Sequence, residues 1–433
     1  MNTSFARSDM LPAQKPPVTE RGLVKWLREN LFSGPFNTIL TLLGLLILYY
    51  IVRGIGPWLL NSVWNANSIQ ECRSIIAANA GEGASGACWA LIKARWNQFL
   101  FGLYPPHLYW RPVLALVLLC LAVAPVLFLS LPRKLLWFTL LYPVIAFFLL
   151  WGGSVWTPIA AMAGLAVVVV VFQLVQGTVG ETVGAGIGLL AAVFWWAYAD
   201  EPVVSALSTA IPISLEYVGS DEFGGFLLAF VIGVTAISFS LPLGILLALG
   251  RQSDLFIIKT LCVGFIEFIR GVPLITLLFT ASLLLGYFLP PGTNFDIILR
   301  VIILVTFFAA AYLAEVIRGG LAALPRGQYE AADALGLDYW QAQRLVILPQ
   351  ALKISIPSIV STFIGLFKDT TLVSFVGLLD PLRGVTNAVR ADINWKGVYW
   401  EPYIFVGAIF FVICFGMSRY SMYLENKLKT DHR

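Results

Sequence analysis

Charge is scarce in this chain. Only 12% of its 433 residues are Asp, Glu, Lys or Arg, and 59% are hydrophobic. Soluble domains run near a quarter charged and half apolar, so the soluble globular class is excluded. Histidine is rarer still: His107 and His432 are the only two. With no Cys/His cluster at ligand spacing, no metal site is expected. No Walker A run, no Gly-x-Ser-x-Gly elbow and no pair of catalytic carboxylates occurs. The Gly-rich stretch at 177–188 lacks the Lys-Ser/Thr ending of a phosphate loop and is better read as small-residue helix packing or a turn. No catalytic residue and no cofactor are therefore expected, and any ATP this chain uses must be bound by another chain.

What is present is a series of long apolar runs. Alternating ten-residue strands are missing, and an unpaired backbone cannot sit in hydrocarbon, so the expected fold is an all-α integral membrane protein. The runs predict ten spans, at 36–60, 113–131, 135–153, 158–176, 184–199, 223–250, 261–289, 297–317, 354–378 and 402–424. The count falls to eight if the fourth and fifth form a re-entrant hairpin, because no basic residue fixes the Gln176–Val183 connection inside. The first run lies behind a polar tail and is too long for a cleaved signal, so it reads as an uncleaved span. With the N-terminus inside, the inner segments hold 17 Lys and Arg and the outer segments 8. The positive-inside rule then places both termini in the cytoplasm. Residues 1–35 form a mildly basic tail suited to anionic lipid, and 426–433 form a second cytoplasmic tail.

This orientation makes the 61–112 loop external. It carries Cys72 and Cys88, the two cysteines outside the spans. Either a disulfide in an oxidising periplasm or two free thiols fits that placement. Cys120, Cys262 and Cys414 fall in apolar runs and are read as packing residues.

Composition divides the membrane region near Glu222. Residues 36–222 are rich in Trp and nearly free of membrane-buried charge, and no internal repeat is evident in the chain. Residues 223–425 place ionisable groups where they are expensive: Glu267 and Arg270 in one run, Lys368 and Asp369 in another. Glu267 and Arg270 stand one helical turn apart and are able to pair, with Gly271 and Pro273 breaking or kinking the helix behind them. Lys368, Asp369, Thr370, Thr371 and Ser374 interrupt an apolar run, which predicts a discontinuous helix aimed at a cavity. The alternative for both groups is a structural ion pair near the headgroups.

One polar interlude, 319–353, breaks the membrane pattern. Pro325 is placed to open a helix containing Glu330, Ala331 and Ala332, and Gly336 to close it in the left-handed conformation. Asp338 and Gln341 have capping-box spacing, predicting a second helix that runs to Leu348 and stops at Pro349. Arg326, Arg344 and Lys353 balance Glu330, Asp333 and Asp338. That balance leaves no basic footprint for nucleic acid. A docking surface for a cytoplasmic protein is the better reading.

Glu330-Ala331-Ala332, three residues, Gly336, nine residues, then Val346-Ile347-Leu348-Pro349 resembles the EAA signature of bacterial ABC importer permeases, departing only at Val346. The phrases at 267–279 and 366–380 resemble the polar amino acid branch, and the N-terminal half resembles the larger permease subunits of general L-amino-acid importers. The resemblance implies a five-helix type I importer core over 223–425 in the bacterial inner membrane. Its EAA loop would be a coupling helix seated on a cytoplasmic ATPase dimer. It further implies a homologous second permease, a periplasmic amino-acid-binding protein and no ATPase site in this chain. Two other classes remain: a stand-alone proton-coupled transporter using Glu267 or Asp369, and a scaffold that recruits a soluble protein.

Overall fold

A computed structural model describes residues 22–128, 130–288 and 295–428. Most of the basic tail (1–21), the last five residues of the C-terminal tail and the outer end of the seventh expected span lie outside the described residues. The chain forms two compact units, Met1–Lys93 and Ala94–Arg433.

In the first unit, α1 (Gly22–Asn30) leads into α2 (Pro35–Leu60), an apolar helix without a buried residue. The α3 helix (Ile69–Ala80) starts at Ser68, whose side chain accepts the Glu71 N–H. Backbone bonds from Val63 to Ala87 and from Trp89 to Val63, both 2.8 Å, lay the following loop beside the end of α2. The structure joins Cys72 and Cys88 in a disulfide across a Cα–Cα distance of 6.0 Å. Trp58 and Trp64 flank Trp89 at ring distances of 6.0 and 5.5 Å.

The second unit begins within α4 (Ala90–Phe101), which leaves helical geometry at Arg95. Next come the antiparallel helices α5 (Trp110–Leu127) and α6 (Leu136–Trp151). Tyr142 donates to the Ala115 carbonyl and Thr139 to that of Ala122, which fixes their register. A two-residue ribbon pairs β1 (Gly153–Ser154) with β2 (Ser214–Leu215). Between its strands run α7 (Trp156–Val179), α8 (Glu181–Phe194) and α9 (Asp200–Ala210).

Gly180 (φ +84°) makes the turn from α7 to α8, and a Cβ on Gly188 would press on the Val168 carbonyl. Turn and small-residue packing therefore coexist in the Gly-rich stretch. The expected span 184–199 continues to Ala210, because a π-helical turn at Trp195–Ala199 carries the helix onward into α9. Trp195 and Trp196 donate from that turn to Ala160 and Ala161 of α7. The fourth and fifth spans are thus two full-length helices. Cys120 differs from its expectation: it is exposed on α5 instead of packed.

The remaining helices are α10 (Gly225–Gln252), α11 (Phe256–Gly271), α12 (Leu274–Phe288), α13 (Ile297–Ala322), α14 (Arg326–Ala334), α15 (Tyr339–Ala342), α16 (Leu348–Asp369), α17 (Pro381–Ala391) and α18 (Trp400–Leu428). Small residues let α10 and α13 approach closely: a Cβ on Gly244 would meet Leu313 and the Ala310 carbonyl. Buried Ile232, Val301 and Val305 form the core toward the start of α10, and Ile266, Ile317 and Ile347 toward its end. Among the described residues nine helices are long and apolar enough to cross a bilayer, and the α11–α12 pair makes ten if counted as one span.

That pair is bent by 101°. The expected straight span 261–289 is therefore two helices, broken where Gly271 and Pro273 interrupt the hydrogen-bond ladder. A Cβ on Gly250, near the end of α10, would meet Ile258 and Cys262 early in α11. Arg251 beside it pairs with Glu267 late in α11. Both halves of α11 thus stay level with one end of α10, and α11 runs across the bundle rather than along it.

At the other end of α10 three segments meet backbone to backbone. Bridges join Gly102 to Phe223 and Gly224 to Leu379, and the Gly225 N–H donates to Leu379 at 2.8 Å. Gly102 (φ +69°) abuts Gly224 so closely that a Cβ would overlap its backbone. Nearby, Arg95 pairs with Asp392 at 2.7 Å and holds that carboxyl below its usual range. Gly102→Ala is expected to cost several kcal/mol, from the positive φ and the overlap together. It should lower both membrane yield and the melting temperature of the purified chain. Gly44→Ala, mid-helix in α2 with nothing within 4 Å, should lower neither, since Ala is the better helix former.

Candidate functional site

The interlude folds by rules local to its sequence. Its first residues belong to α13, and Gly320 packs where a Cβ would strike Ser355 and the Ala351 carbonyl of α16. Pro325 stands at the N-cap of α14. The α14 helix ends in a Schellman motif: Gly336 (φ +70°) donates to Asp333, and Leu337 to Ala332. Asp338 and Gln341 exchange capping-box bonds of 3.2 and 2.8 Å to start α15. Gln350 of α16 then donates to Gln328 of α14 at 2.8 Å, tying the two arms together.

Pro349 does not stop the second helix. From Tyr339 the chain stays helical, through a π turn at Gln343–Ile347 and along α16 to Asp369. Proline is tolerated in the first turn of α16, where its missing N–H does little harm, and the π turn before it absorbs the mismatch. The interlude is therefore continuous with helices of the bundle at both ends.

Its predicted residues take different positions. Glu330, Ala331, Gly336 and Pro349 are exposed, and Leu348 is half-buried. Ala332 is 1% exposed and packs inward, so it serves the fold of the interlude itself. The space around Gly336 is empty to 4 Å. Beside it stand Leu335 (75% exposed), Tyr339 and Trp340 (63% exposed), an apolar tip on a polar segment. That tip is visible in the sequence only once the Schellman turn has brought Leu335 alongside the start of α15.

Behind the interlude lies a knot of charge. Glu315 of α13 has a side chain 16% exposed. Its Oε2 accepts the Arg318 Nε–H at 3.0 Å and lies 3.8 Å from Arg270. Its Oε1 lies 2.9 Å from Arg251 Nη1 but off the hydrogen-bond axis, a contact of charges only. Arg251 also donates to Glu267 at 2.7 Å. The Arg270 guanidinium sits 5.6 Å from the Tyr312 ring. Among the described residues the expected Glu267–Arg270 ion pair does not form. Each turns to a partner on another helix, because α11 crosses the ends of α10 and α13. Spacing showed that the two were able to meet; it held no signal for Arg251, Glu315 or Arg318.

Nor does the Lys368 segment form the expected discontinuous helix. After Asp369 the helix tightens into a 3-10 run, Thr370–Val376, and ends at Gly377 (φ +97°). Thr370, Thr371 and Ser374 each donate to a carbonyl three residues back, at 2.7, 2.9 and 3.0 Å, which supports the tighter winding. Lys368 is exposed and Asp369 half-buried. A cleft of about 580 Å³ lies elsewhere, against α5, α6 and α10. A Cβ on Gly233 would meet Thr370, whereas Arg251 meets Glu267. Those α10 positions are eighteen residues apart, about 27 Å. Arg270 and Lys368 thus occupy different levels and cannot face one carboxylate together.

The family model for binding-protein-dependent transport system inner membrane components matches residues 240–430. The glutamate/glutamine/aspartate/asparagine transport system permease protein BztC of Rhodobacter capsulatus is 67% identical over 100% of both chains. The inner membrane amino-acid ABC transporter permease protein YhdY of Escherichia coli is 37% identical over 94% of this chain and 93% of its own. A solved amino acid ABC transporter, crystallised with histidines, is 31% identical over 47% of this chain and 91% of its own, at a TM-score of 0.42.

The charge knot makes a differential prediction. Glu315→Gln leaves three arginines around a neutral group and is expected to destabilise by about 3 kcal/mol, since breaking a shielded pair strands its partners. Glu267→Gln, at a side chain 53% exposed, should cost less than about 1 kcal/mol. Thermal unfolding of both variants in the same detergent measures the difference; equal shifts would remove Glu315 from the centre of the knot.

Proposed function

Because the chain belongs to the amino-acid ABC transporter permeases, inner-membrane components of binding-protein-dependent transport systems, we propose that it takes its driving force through the 319–353 interlude. Membership in this family implies an ATPase partner and a substrate-binding partner. Here the ATPase is a cytoplasmic dimer, the binding protein is periplasmic, and a second, homologous permease completes the pathway. Both termini lie in the cytoplasm, the orientation that the Lys and Arg distribution favours. Residues 223–425 are the transporting core, and 36–222 an extension whose outer loop carries the Cys72–Cys88 bridge.

One observation carries this reading: an exposed tip of Leu335, Gly336, Tyr339 and Trp340 is held on a frame fixed by two caps and the Gln328–Gln350 bond. Glu330, Ala331 and Gly336 lie on the outside of that frame, where an ATPase cleft would receive them, and Leu348 and Pro349 form its root on α16. Closure of the ATPases on ATP pulls this lever. Because α13 and α16 run out of it without a break, the pull rocks the core between outward and inward openings. ATP binding thereby shifts the population between two states with different contacts.

The cargo is glutamate, aspartate and their amides, by analogy with the relative named for those four substrates that matches along the whole chain. Lys368, with Asp369, Thr370, Thr371 and Ser374, serves one level of the path, and Arg270 with Glu267 another. An acidic substrate meets these positive groups in succession. A proton-carrying secondary transporter fits less well: Glu267 is already engaged by Arg251 at 2.7 Å.

Gly336→Asp tests the coupling. Asp tolerates the left-handed conformation at a cost of about 1 kcal/mol, and its side chain enters open space. The chain should therefore reach the membrane and assemble with a stability loss no larger than that cost, while glutamate uptake and transport-linked ATP hydrolysis are lost. Normal uptake by an assembled variant would end the assignment. For the pathway, Lys368→Ala or Thr371→Val is expected to lower glutamate uptake about tenfold, roughly 1.4 kcal/mol, with the ATPase still co-purifying. Unchanged uptake would leave these as structural residues.

A further inference from the structure

Neither α1 nor α2 buries a residue. For α2 the reason is plain, because an apolar helix of 26 residues belongs in hydrocarbon. For α1 it is not, since a free helix of nine residues is marginal in water. Its stability must come from a surface on which it lies.

The residues of α1 divide by side. At 100° per residue, Leu23, Val24, Trp26 and Leu27 fall within an arc of about 160°. Lys25, Arg28 and Glu29 fall within about 100° on the opposite side. Asn30 lies in the apolar arc, but its amide turns back to the Trp26 carbonyl at 2.9 Å. Leu23 is 74% and Trp26 56% exposed. Across the helix from them, Lys25 and Glu29 pair at 3.7 Å on open surface.

The join to α2 fixes where the apolar face lies. The Leu31 and Phe32 N–H groups both donate to the Leu27 carbonyl, which ends α1 in a tight turn. The Thr41 hydroxyl of α2 then donates to the Leu31 carbonyl at 2.8 Å. Thr41 is six residues beyond Pro35, about 9 Å along the helix axis. The end of α1 therefore lies beside the second turn of α2, not beyond its tip. At the far end of α2, Trp58 joins Trp64 and Trp89 in an aromatic cluster of the kind that marks a membrane–water interface. Arg53, just inside it, reaches that interface by snorkelling. About twenty residues of helix cross a hydrocarbon core about 30 Å thick, so counting back from Trp58 the core ends near Thr38. Thr41 stands one turn inside that boundary, and the Leu31 carbonyl it satisfies is at the level where headgroups meet acyl chains. An amphipathic helix immersed there by about 5–10 Å places its apolar side in hydrocarbon and its charged side among headgroups.

We propose that α1 is an in-plane membrane anchor, with Leu23, Val24, Trp26 and Leu27 among the acyl chains and Lys25 and Arg28 at the phospholipid headgroups. It sets the depth of α2, which buries no residue against protein that would set it. The leaflet is the cytoplasmic one, and that part rests on the orientation proposed above.

The test uses the full-length chain with Cys120, Cys262 and Cys414 replaced by Ala and the Cys72–Cys88 bridge intact. It is placed in nanodiscs of phosphatidylethanolamine and phosphatidylglycerol. A nitroxide is attached in turn at Leu23→Cys, Lys25→Cys, Leu27→Cys and Arg28→Cys. Power saturation then reads its exposure to oxygen, which enters hydrocarbon, and to a water-soluble nickel chelate. The oxygen-to-nickel ratio should be roughly fivefold higher at 23 and 27 than at 25 and 28, as immersion of one face requires. Trp26→Asp should abolish the alternation and Trp26→Phe preserve it, both variants eluting normally on size exclusion because α1 has no buried residue. High nickel exposure at all four positions would overturn the anchor, leaving a helix free in water. Exclusion of both reagents at 23 and 27 would overturn it by showing that protein covers the face. An alternation unchanged by Trp26→Asp would also overturn it. Labelling of Lys25→Cys by an impermeant maleimide outside intact spheroplasts would overturn the cytoplasmic leaflet and the orientation behind it. The nanodisc ratios do not depend on that orientation, so the two failures are separable.

Discussion

One carboxylate organises the end of the molecule that bears the interlude. Glu315 is mostly shielded from water and has Arg251, Arg270 and Arg318 around it. A charge so placed is unfavourable until its partners arrive, and breaking the cluster afterwards strands cations in a poorly hydrated place. The partners come from α10, α11 and α13, so satisfying Glu315 requires three helix ends to converge. This explains why α11 turns across the bundle: only in that course do Glu267 and Arg270 reach the level of Arg251. Arg318 is four residues short of the end of α13, and the interlude starts from that same end. A pull on the interlude therefore acts directly on the knot.

The opposite end of α10 is held by a different force. Gly102, Gly224 and Gly225 bring three backbones together so closely that side chains are excluded. Such contacts are short-ranged, insensitive to salt and intolerant of substitution, whereas the charge knot is longer-ranged and is able to exchange partners. With a steric clasp at one end and an electrostatic knot at the other, α10 has one fixed point and one adjustable point. A lever requires that asymmetry, and Gly244 against Leu313 places the close packing of α10 with α13 between the two ends.

What was legible in the sequence follows the range of the interaction. Apolar runs are local, and the spans were read within a few residues except at three places: a π turn extends the fifth to Ala210, the seventh is broken into α11 and α12, and the ninth continues a helical stretch that starts at Tyr339. The interlude was legible for the same reason: Gly336 and the Asp338–Gln341 box act within a single turn. Pro349 misled because its meaning depends on context; after a π turn it begins a helical stretch instead of ending one. Gly271 and Pro273 announced a break, but a 101° change of direction depends on what α11 packs against. Glu315 and Arg318 passed unnoticed because a charge near a helix end looks ordinary until its partners are known. At Lys368 the charges suggested an opening, whereas the neighbouring hydroxyls had already turned back to their own helix.

The boundary drawn from composition near Glu222 is not the boundary of packing. The family model begins at residue 240, yet the clasp that starts the core requires Gly102, and Arg95 reaches Asp392 beyond α17. Trp96 and Phe99 pack on Phe405 of α18 with ring centres 5.5 and 6.0 Å apart. The segment from Ala94 to Tyr104 is thus structurally part of the core, although it precedes it by five helices. Helices α5 to α9 are inserted between two parts of one packed unit, and the Trp151–Phe223 stack returns the chain to it. An insertion fixed at both of its roots cannot drift away under the rocking motion proposed for the core. It must either follow the motion or flex within itself, and the gap between the α5–α6 hairpin and α10 is where the structure leaves room for it to flex.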